Sequence, residues 1–220
     1  MKTELYKTDD GSHTLYVPEI DEHFHSTFGA IQESNHIFIE KGFNAIEKDT
    51  ITILEVGFGT GLNALLTALQ CKKSNKKVHY ITIEKYPLEC EYWQALNYPS
   101  INNSKILFNN IHEAEWGKDI KITNEFTIRK IQTDFSTFEL SELPDFDLIY
   151  FDAFSPNKQP ELWETHLFIN IYKNTLSDGI IVTYCAKGYV RRAIQSAGFK
   201  MERLPGPPGK REMLRGTKII

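Results

Sequence analysis

The sequence predicts an α/β protein built on a mostly parallel β-sheet with helices on both faces. Three observations carry this prediction. From residue 50 onward, β-branched runs alternate with segments of helical period. The first run ends in a turn with three glycines that opens directly into a helix, and later runs end in or near a carboxylate. The last two runs have only a short loop between them, so they are expected as an antiparallel pair closing the sheet.

Taken in order, Asp10-Gly11 lies between Leu5-Tyr6 and Thr14-Leu15-Tyr16-Val17 and predicts a hairpin turn between two short strands. A helix is expected over about 27–43, with Ile31, Ile37, Phe38 and Ile39 as its apolar positions. The first strand of the main sheet, 51–56, stops at Gly57-Phe58-Gly59-Thr60-Gly61, after which Leu62, Leu65, Leu66 and Leu69 recur at helical spacing. The second strand, 78–84, is followed by a helix through about Leu96. The third, 126–131, leads to Asp134, and the fourth, 146–151, ends at Asp152. A helix over 161–174, a fifth strand over 179–184 and a helix over 189–197 come next. Strands at 199–204 and 213–219, joined by the Pro/Gly loop 205–209, end the chain. Residues 1–49 are expected as a small N-terminal extension, a hairpin plus a lid-like segment, ahead of a domain at 50–220.

With 41% hydrophobic and 25% charged residues, the composition is globular and excludes a disordered chain or a membrane protein. The N-terminus is too polar for a signal peptide, and no apolar run reaches the roughly 20 residues a bilayer span needs. Cys71, Cys90 and Cys185 stand far apart without metal-ligand spacing, which predicts reduced thiols and a cytoplasmic location. Asp21-Glu22-His23-Phe24-His25, with His36, is a weak ligand set, and no metal is expected. That stretch, with Phe24 and Ser26, is expected instead to fold over a cofactor or substrate.

The formal charge of −4 argues, as an average, against a nucleic-acid partner. Its distribution argues the other way. Lys187, Arg191, Arg192, Lys200, Arg203, Lys210, Arg211, Arg215 and Lys218 face only Glu202 and Glu212 in the last 34 residues, a local charge of +7. The rest of the chain carries −11. Such a split points to a polyanion-binding end beside an acidic body, the alternative being a solvated face without a partner.

Glycines at a strand-to-helix turn let a ligand approach the backbone closely. A dinucleotide fingerprint would need a third glycine where Leu62 stands, and a P-loop would need Lys-Ser/Thr after Gly61, where the chain has Leu62-Asn63. What remains, Glu55-Val56-Gly57-Phe58-Gly59-Thr60-Gly61, resembles motif I of the class I S-adenosylmethionine-dependent methyltransferases. That resemblance implies a Rossmann-like fold, S-adenosyl-L-methionine as cofactor and a loop, Phe58 and Thr60 included, packed against the cofactor. Glu84, at the end of the second strand, is then placed to accept from both ribose hydroxyls. Asp134 is placed to accept from the adenine amine, and Phe135 to stack on the ring.

Four further stretches resemble a narrower family. They are Phe151-Asp152-Ala153-Phe154-Ser155-Pro156-Asn157-Lys158-Gln159-Pro160-Glu161-Leu162-Trp163, Glu84-Lys85-Tyr86-Pro87-Leu88, Gly188-Tyr189-Val190-Arg191-Arg192 and Gly209-Lys210-Arg211-Glu212-Met213-Leu214. With the glycine loop through Asn63, they are similar to the methyltransferase module of the enzyme family that completes 5-methylaminomethyl-2-thiouridine at the tRNA wobble position. The resemblance implies methylation of the primary amine of 5-aminomethyl(-2-thio)uridine, with Asp152 at the catalytic acid position. It adds Asn63 and Lys85 to the cofactor site, and Phe154, Lys158 and Trp163 to the substrate site. It gives Lys187, Arg191, Arg192, Lys210 and Arg211 a place in binding tRNA. No second glycine fingerprint follows, so the chain is expected as the stand-alone form, with a separate oxidase or other amine-generating pathway upstream. Two other readings stay open at this point: another transferase of the same fold acting on a small amine (methyl- or aminopropyl-), and a non-catalytic RNA-binding module.

Overall fold

The computed structural model describes residues 2–219. The chain opens with a three-stranded antiparallel sheet of β1 (Glu4–Lys7), β2 (His13–Val17) and β3 (Glu22–His23), with the expected turn at Asp10-Gly11 between the first two. Asp10 fixes that turn: its Oδ1 accepts from the Ser12 amide at 2.9 Å and from Thr8 Oγ1 at 2.8 Å. Its Oδ2 accepts from the Gln32 amide at 3.0 Å, which ties the hairpin to α1 (Ala30–Ser34).

The helix expected over 27–43 is shorter and of two kinds. Helix α1 runs on into a π-helical segment, Asn35–Glu40, and stops before Gly42, where a side chain would meet the Phe38 carbonyl. Ile37, Phe38 and Ile39 are consecutive and all buried. An α-helix turns successive side chains 100° apart, so a continued α-helix spreads three adjacent apolar residues around its circumference, and the widened turn accompanies their common burial.

The main sheet holds eight strands. Its parallel centre consists of β4 (Thr50–Val56), β5 (Lys77–Glu84), β7 (Phe126–Gln132), β8 (Phe146–Phe151) and β9 (Thr175–Thr183), in the order β9-β8-β4-β5-β7. Strand β6 (Asp119–Lys121) extends one edge antiparallel to β7. At the other edge, β11 (Glu212–Thr217) pairs antiparallel with β9, and β10 (Lys200–Pro205) pairs antiparallel with β11, as expected for the closing pair. The order reverses at β4, with β5 on one side and β8 on the other. Such a switch point opens a crevice beyond the strand ends.

Period-two alternation divides the core between the two faces of the sheet. Ile51, Ile53, Tyr80, Leu148, Tyr150 and Val182 lie on the face covered by the π-helical segment, α2 (Leu62–Ser74) and α5 (Lys105–Glu113). Leu54, Val56, Ile81, Ile149, Phe151 and Ile181 lie on the face covered by α6 (Thr165–Lys173) and α7 (Gly188–Ser196). Leu15, Ala30, Ile37, Phe38, Phe43 and Ile46, from the first 49 residues, belong to the former core.

One expected helix is shorter than expected and another is broken. After β5 the helix expected through about Leu96 is the short α3 (Cys90–Gln94), and two helices not expected from the sequence, α4 (Tyr98–Asn102) and α5, follow it. Pro99 opens α4, and Asn103, at φ 48°, takes the left-handed conformation that ends it. The helix expected over 161–174 is a 3-10 turn, Pro160–Trp163, followed by α6, and β9 begins earlier than expected, at Thr175.

Phe38 is 1% exposed and its ring lies 5.1 Å from that of Tyr150 in β8. Phe38→Ala is expected to lower stability by about 3–5 kcal/mol in denaturant unfolding, as for an aromatic lost from a sheet core.

Candidate active site

The glycine loop leaves β4 at the switch point and is held there by its neighbours. The Gly57 amide donates to the Ile83 carbonyl at 3.0 Å, and the Asp152 amide donates to the Val56 carbonyl at 3.0 Å. Gly57 has φ 93°, and a Cβ there would lie 2.7 Å from the Asp152 carbonyl oxygen, so only glycine lets the ends of β4 and β8 approach this closely. Gly59 and Gly61 also have positive φ, and side chains there would strike Phe24 and His112.

Two uncharged histidines grip Thr60 from opposite sides. His25 Nε2 lies 2.6 Å from Thr60 Oγ1, and His112 Nε2 donates to the Thr60 carbonyl at 3.1 Å. Burial pulls the His25 imidazole down to about 4 and the His112 imidazole down to about 3, so both are neutral at pH 7. Trp93 stacks on His112 at 4.5 Å. Below the loop, Lys130 is 1% exposed; its ammonium donates to the His112 carbonyl and faces the Trp116 ring at 4.8 Å. Burial pulls that ammonium down to about 8.

Beyond the strand ends lies a cavity of about 830 Å³. Glu84 at its wall binds the loop from below: its Oε2 accepts from the Gly59 amide at 3.0 Å and its Oε1 from the Tyr86 amide at 2.8 Å. Each oxygen keeps a second lone pair, which is what two ribose hydroxyls require. Asp134 binds Lys85 at 2.7 Å and accepts from Ser136 Oγ at 2.6 Å and from the Ser136 amide at 2.9 Å. Its bond to Lys85, with those from Ser136, holds its carboxyl down at about 2. Phe135 lines the same cavity with its ring largely buried. Glycines that bring the backbone to the cavity wall, an uncommitted face on Glu84 and an apolar wall at Phe135 fit an adenosyl cofactor.

Asp152 lines the same cavity and is half-buried. Its Oδ2 accepts from Asn63 Nδ2 at 2.8 Å. Burial, with the nearby Glu33 carboxylate, pushes its carboxyl well above the ordinary range. Glu55, fully buried beneath the loop, accepts from Thr82 Oγ1 at 2.7 Å. Burial pushes it up to about 8, so it carries its proton at neutral pH and supports the loop without facing the cavity.

Residues 19–28 form one wall of the cavity. Phe24 packs on Gly59 and meets the Phe154 ring at 4.9 Å, Glu22 accepts from Ser155 Oγ at 2.9 Å, and Asp21 lies 3.7 Å from Lys158. Within this wall His23 packs against Tyr6 and Tyr16, while His25 bonds Thr60. Among the described residues no three His, Cys, Asp or Glu side chains gather as a metal site. Nor is any helix long and apolar enough to cross a membrane.

The structure brings Gly57, Phe58, Gly59, Thr60, Glu84, Lys85, Asp134, Phe135, Asp152, Phe154, Lys158 and Lys210 to one cavity. Trp163 is not among its lining: the indole is 3% exposed, lies on the Phe151 ring and donates to the Phe154 carbonyl at 2.9 Å. Its position is that of a support beneath Phe154. The basic C-terminal edge is smaller than its composition implies. Arg203 pairs with Glu212, Arg215 with Glu202, and Lys218 donates to the Tyr172 and Thr175 carbonyls. Lys187 bonds Asn157 at 2.8 Å and Arg191 bonds Gln195 at 2.7 Å, while Arg192 and Arg211 are exposed. Lys210 turns inward to Glu33. Glu33 and Tyr184 line the cavity without having been singled out from the sequence. The stretch 30–39 also carries Gln32, Ser34, Asn35 and His36, so no local signal sets Glu33 apart.

Residues 90–219 match the family model described as S-adenosyl-L-methionine-dependent methyltransferase. The chain belongs to this family. The methyltransferase is 32% identical over 211 residues to the tRNA 5-methylaminomethyl-2-thiouridine biosynthesis bifunctional protein MnmC of Pseudomonas fluorescens, covering 89% of this chain and 32% of that protein. It is 27% identical over 226 residues to the protein of the same name from Cupriavidus metallidurans, covering 94% and 32%. The chain thus spans about a third of the length of these curated relatives. The crystal structure of MnmC2 from Aquifex aeolicus superposes with a TM-score of 0.83 at 26% identity, over 100% of this chain and 71% of that one. Spermidine synthase from Thermotoga maritima shares the fold, with a TM-score of 0.57 at 12% identity over 99% of this chain and 72% of that one.

Two expectations follow from the loop. Gly57→Ala places a side chain against the Asp152 carbonyl and forces a strained φ, so it should cost about 1–2 kcal/mol or more of stability and weaken S-adenosylhomocysteine binding in calorimetry at least about tenfold. Because His25 and His112 titrate below their unfolded value of 6.5, the unfolded chain takes up protons that the folded chain refuses. Their contribution to stability is complete above pH 6.5 and is lost as pH falls from there toward about 4. Thermal melts between pH 7 and 5 should show this decline, and His112→Phe should make it shallower.

Proposed function

We propose that this methyltransferase acts on the primary amine of 5-aminomethyl(-2-thio)uridine at the tRNA wobble position, giving 5-methylaminomethyl(-2-thio)uridine. The observation that carries this reading is Asp152, a largely enclosed carboxylate at the end of β8, facing the cavity with one oxygen oriented by Asn63. The names of the relatives support the choice of tRNA nucleoside.

When bound, S-adenosylmethionine supplies a methyl group activated on a sulfonium, and S-adenosylhomocysteine remains after the S–CH3 bond breaks. Glu84, the glycine loop and the Asp134 region would hold it. A primary alkylamine is protonated at neutral pH and in that form has no lone pair to give. Asp152 accepts the ammonium as a hydrogen-bond donor, takes its proton and leaves the nitrogen lone pair free to form the N–CH3 bond. Its raised proton affinity suits this transfer, since an ordinary carboxylate is a much weaker base than the amine. The enzyme needs Asp152 ionised before substrate enters, so kcat/KM should fall as pH drops through its elevated range.

In this reading Lys187, Arg191, Arg192 and Arg211, on the edge formed by α7, β10 and β11, contact tRNA phosphates, and the cavity selects the extruded nucleoside. The activity belongs to the cytoplasm, downstream of a reaction that produces the aminomethyl group.

The decisive assay incubates the protein with methyl-labelled cofactor and tRNA from cells lacking this methylation, followed by nucleoside analysis. Label in 5-methylaminomethyl-2-thiouridine is the expected result. Label on a ring nitrogen or ribose, or RNA-independent turnover of free amines, sinks the reading. Asp152→Asn should reduce kcat by about 10²–10⁴-fold while cofactor affinity, measured by calorimetry, changes little.

A further inference from the structure

Glu33 has no part in the scheme above, yet it is the charged group that acts most strongly on Asp152. It sits in the last turn of α1, just before the helix widens into the π-helical segment, a deviation found frequently at functional sites. Its side chain is 8% exposed and reaches the same cavity. Glu33 Oε2 accepts from the Ser26 amide at 2.8 Å. Its Oε1 lies 2.5 Å from Lys210 Nζ but has no aligned hydrogen-bond donor, so this buried oxygen is matched in charge and not in geometry. The Lys210 ammonium also lies 4.0 Å above the Tyr184 ring. Tyr184 is fixed by its hydroxyl, which donates to the Ala153 carbonyl at 3.0 Å, next to Asp152.

These contacts describe a receptor for a primary ammonium: a buried carboxylate, an aromatic face and a second carboxylate. Among the described residues no donor bonds Asp152 Oδ1, because Asn63 engages Oδ2. The group now in the receptor is itself a primary alkylammonium, on the loop 205–211 beside Arg211. We propose that Glu33, with the Tyr184 ring and Asp152, is the receiving site for the substrate's primary ammonium. Lys210 is its internal occupant, released to an RNA phosphate when the substrate amine enters.

This inference rests on the amine-methylating reading and adds to it a second carboxylate and an exchange of cations. Glu33 and Asp152 share one cavity, and Lys210, paired with Glu33, supplies a cation there before the substrate does. The incoming ammonium replaces one positive charge with another, so the cavity is never left with an unmatched carboxylate. The loop that carries Lys210 is closed by the Gly206 amide on the Arg211 carbonyl at 3.1 Å and the Lys210 amide on the Pro207 carbonyl at 2.9 Å, and Phe28 packs on Gly209, so the exchange proceeds by rotation of the flexible Lys210 side chain and not by opening of the loop. Glu33 favours a proton on Asp152 and on the substrate nitrogen alike, so it anchors the ammonium without opposing transfer of the proton between them.

The test uses the whole chain and two tRNAs that differ only in the aminomethyl group on the wobble uridine. Wild type should bind the amine-bearing tRNA more tightly, by about tenfold or more, as expected for a charge-assisted hydrogen bond. Glu33→Gln should erase most of that difference and raise KM for the amine-bearing tRNA, while affinity for S-adenosylhomocysteine stays unchanged. Lys210→Met should keep or widen the amine preference and reduce the slope of log affinity against log salt by about 0.7–0.9, the loss of one phosphate contact. A Glu33→Gln protein that binds S-adenosylhomocysteine normally and still prefers the amine overturns the proposal. Should Glu33→Gln lose S-adenosylhomocysteine binding as well, Lys210→Met decides, and loss of its amine preference overturns the proposal. If wild type transfers no methyl to the amine, the function itself fails, an outcome distinct from retained transfer without amine-dependent binding.

Discussion

The site depends on one close approach of backbone, that of Gly57 to the carbonyl of Asp152 where β4 and β8 diverge. The Val56 carbonyl accepts the Asp152 amide, and the next residue along β4 must then pass the Asp152 carbonyl without a side chain. This contact sets the distance between the glycine loop, proposed to cradle the cofactor, and the Asp152 carboxylate, proposed to meet the acceptor. Methyl transfer demands alignment of three atoms within a narrow tolerance, and two strands of one sheet meet that demand better than any pair of loops.

Around that contact the chain buries mostly neutral polar groups and keeps its ion pairs at the cavity wall, with the buried Lys130 ammonium as the exception. His25 and His112 hold Thr60 uncharged, and Glu55 keeps its proton beneath the loop. Lys85 with Asp134 and Lys210 with Glu33 line the cavity, where solvent and ligand reach them. The division follows from desolvation: an ion sealed under the loop costs several kcal/mol, which the Lys130 ammonium offsets in part against the His112 carbonyl and the Trp116 ring, whereas one at the wall keeps part of its hydration.

The sheet was legible because buried parallel strands read as short β-branched runs, and 146–151 matches β8 end to end. The glycine loop, Glu84 and Asp152 were legible because they occupy strand ends, which the sequence marks by an abrupt change of pattern. Glu33 was not, since its meaning comes from Lys210, 177 positions further along the chain, and no local pattern carries that. Trp163 misleads in the opposite direction: an aromatic beside a site motif reads as lining, while its indole N–H finds a backbone carbonyl and its ring finds Phe151. The early end of the helix expected over 27–43 was missed, since a single residue, Gly42, ends an otherwise permissive stretch. The loop and strand ends identify the family. The contacts proposed to receive the acceptor's amine exist only after folding.

The basic residues of the C-terminal segment lie on the sheet edge built from α7, β10 and β11, while the acidic excess belongs to the rest of the molecule. A body charged in this way is an electric dipole. Its field orients the protein toward a polyanion before any contact forms, turning the basic edge forward and the acidic flank away. Such steering is strongest at low ionic strength, and in the proposed function it would let a protein of net charge −4 approach tRNA by its basic side.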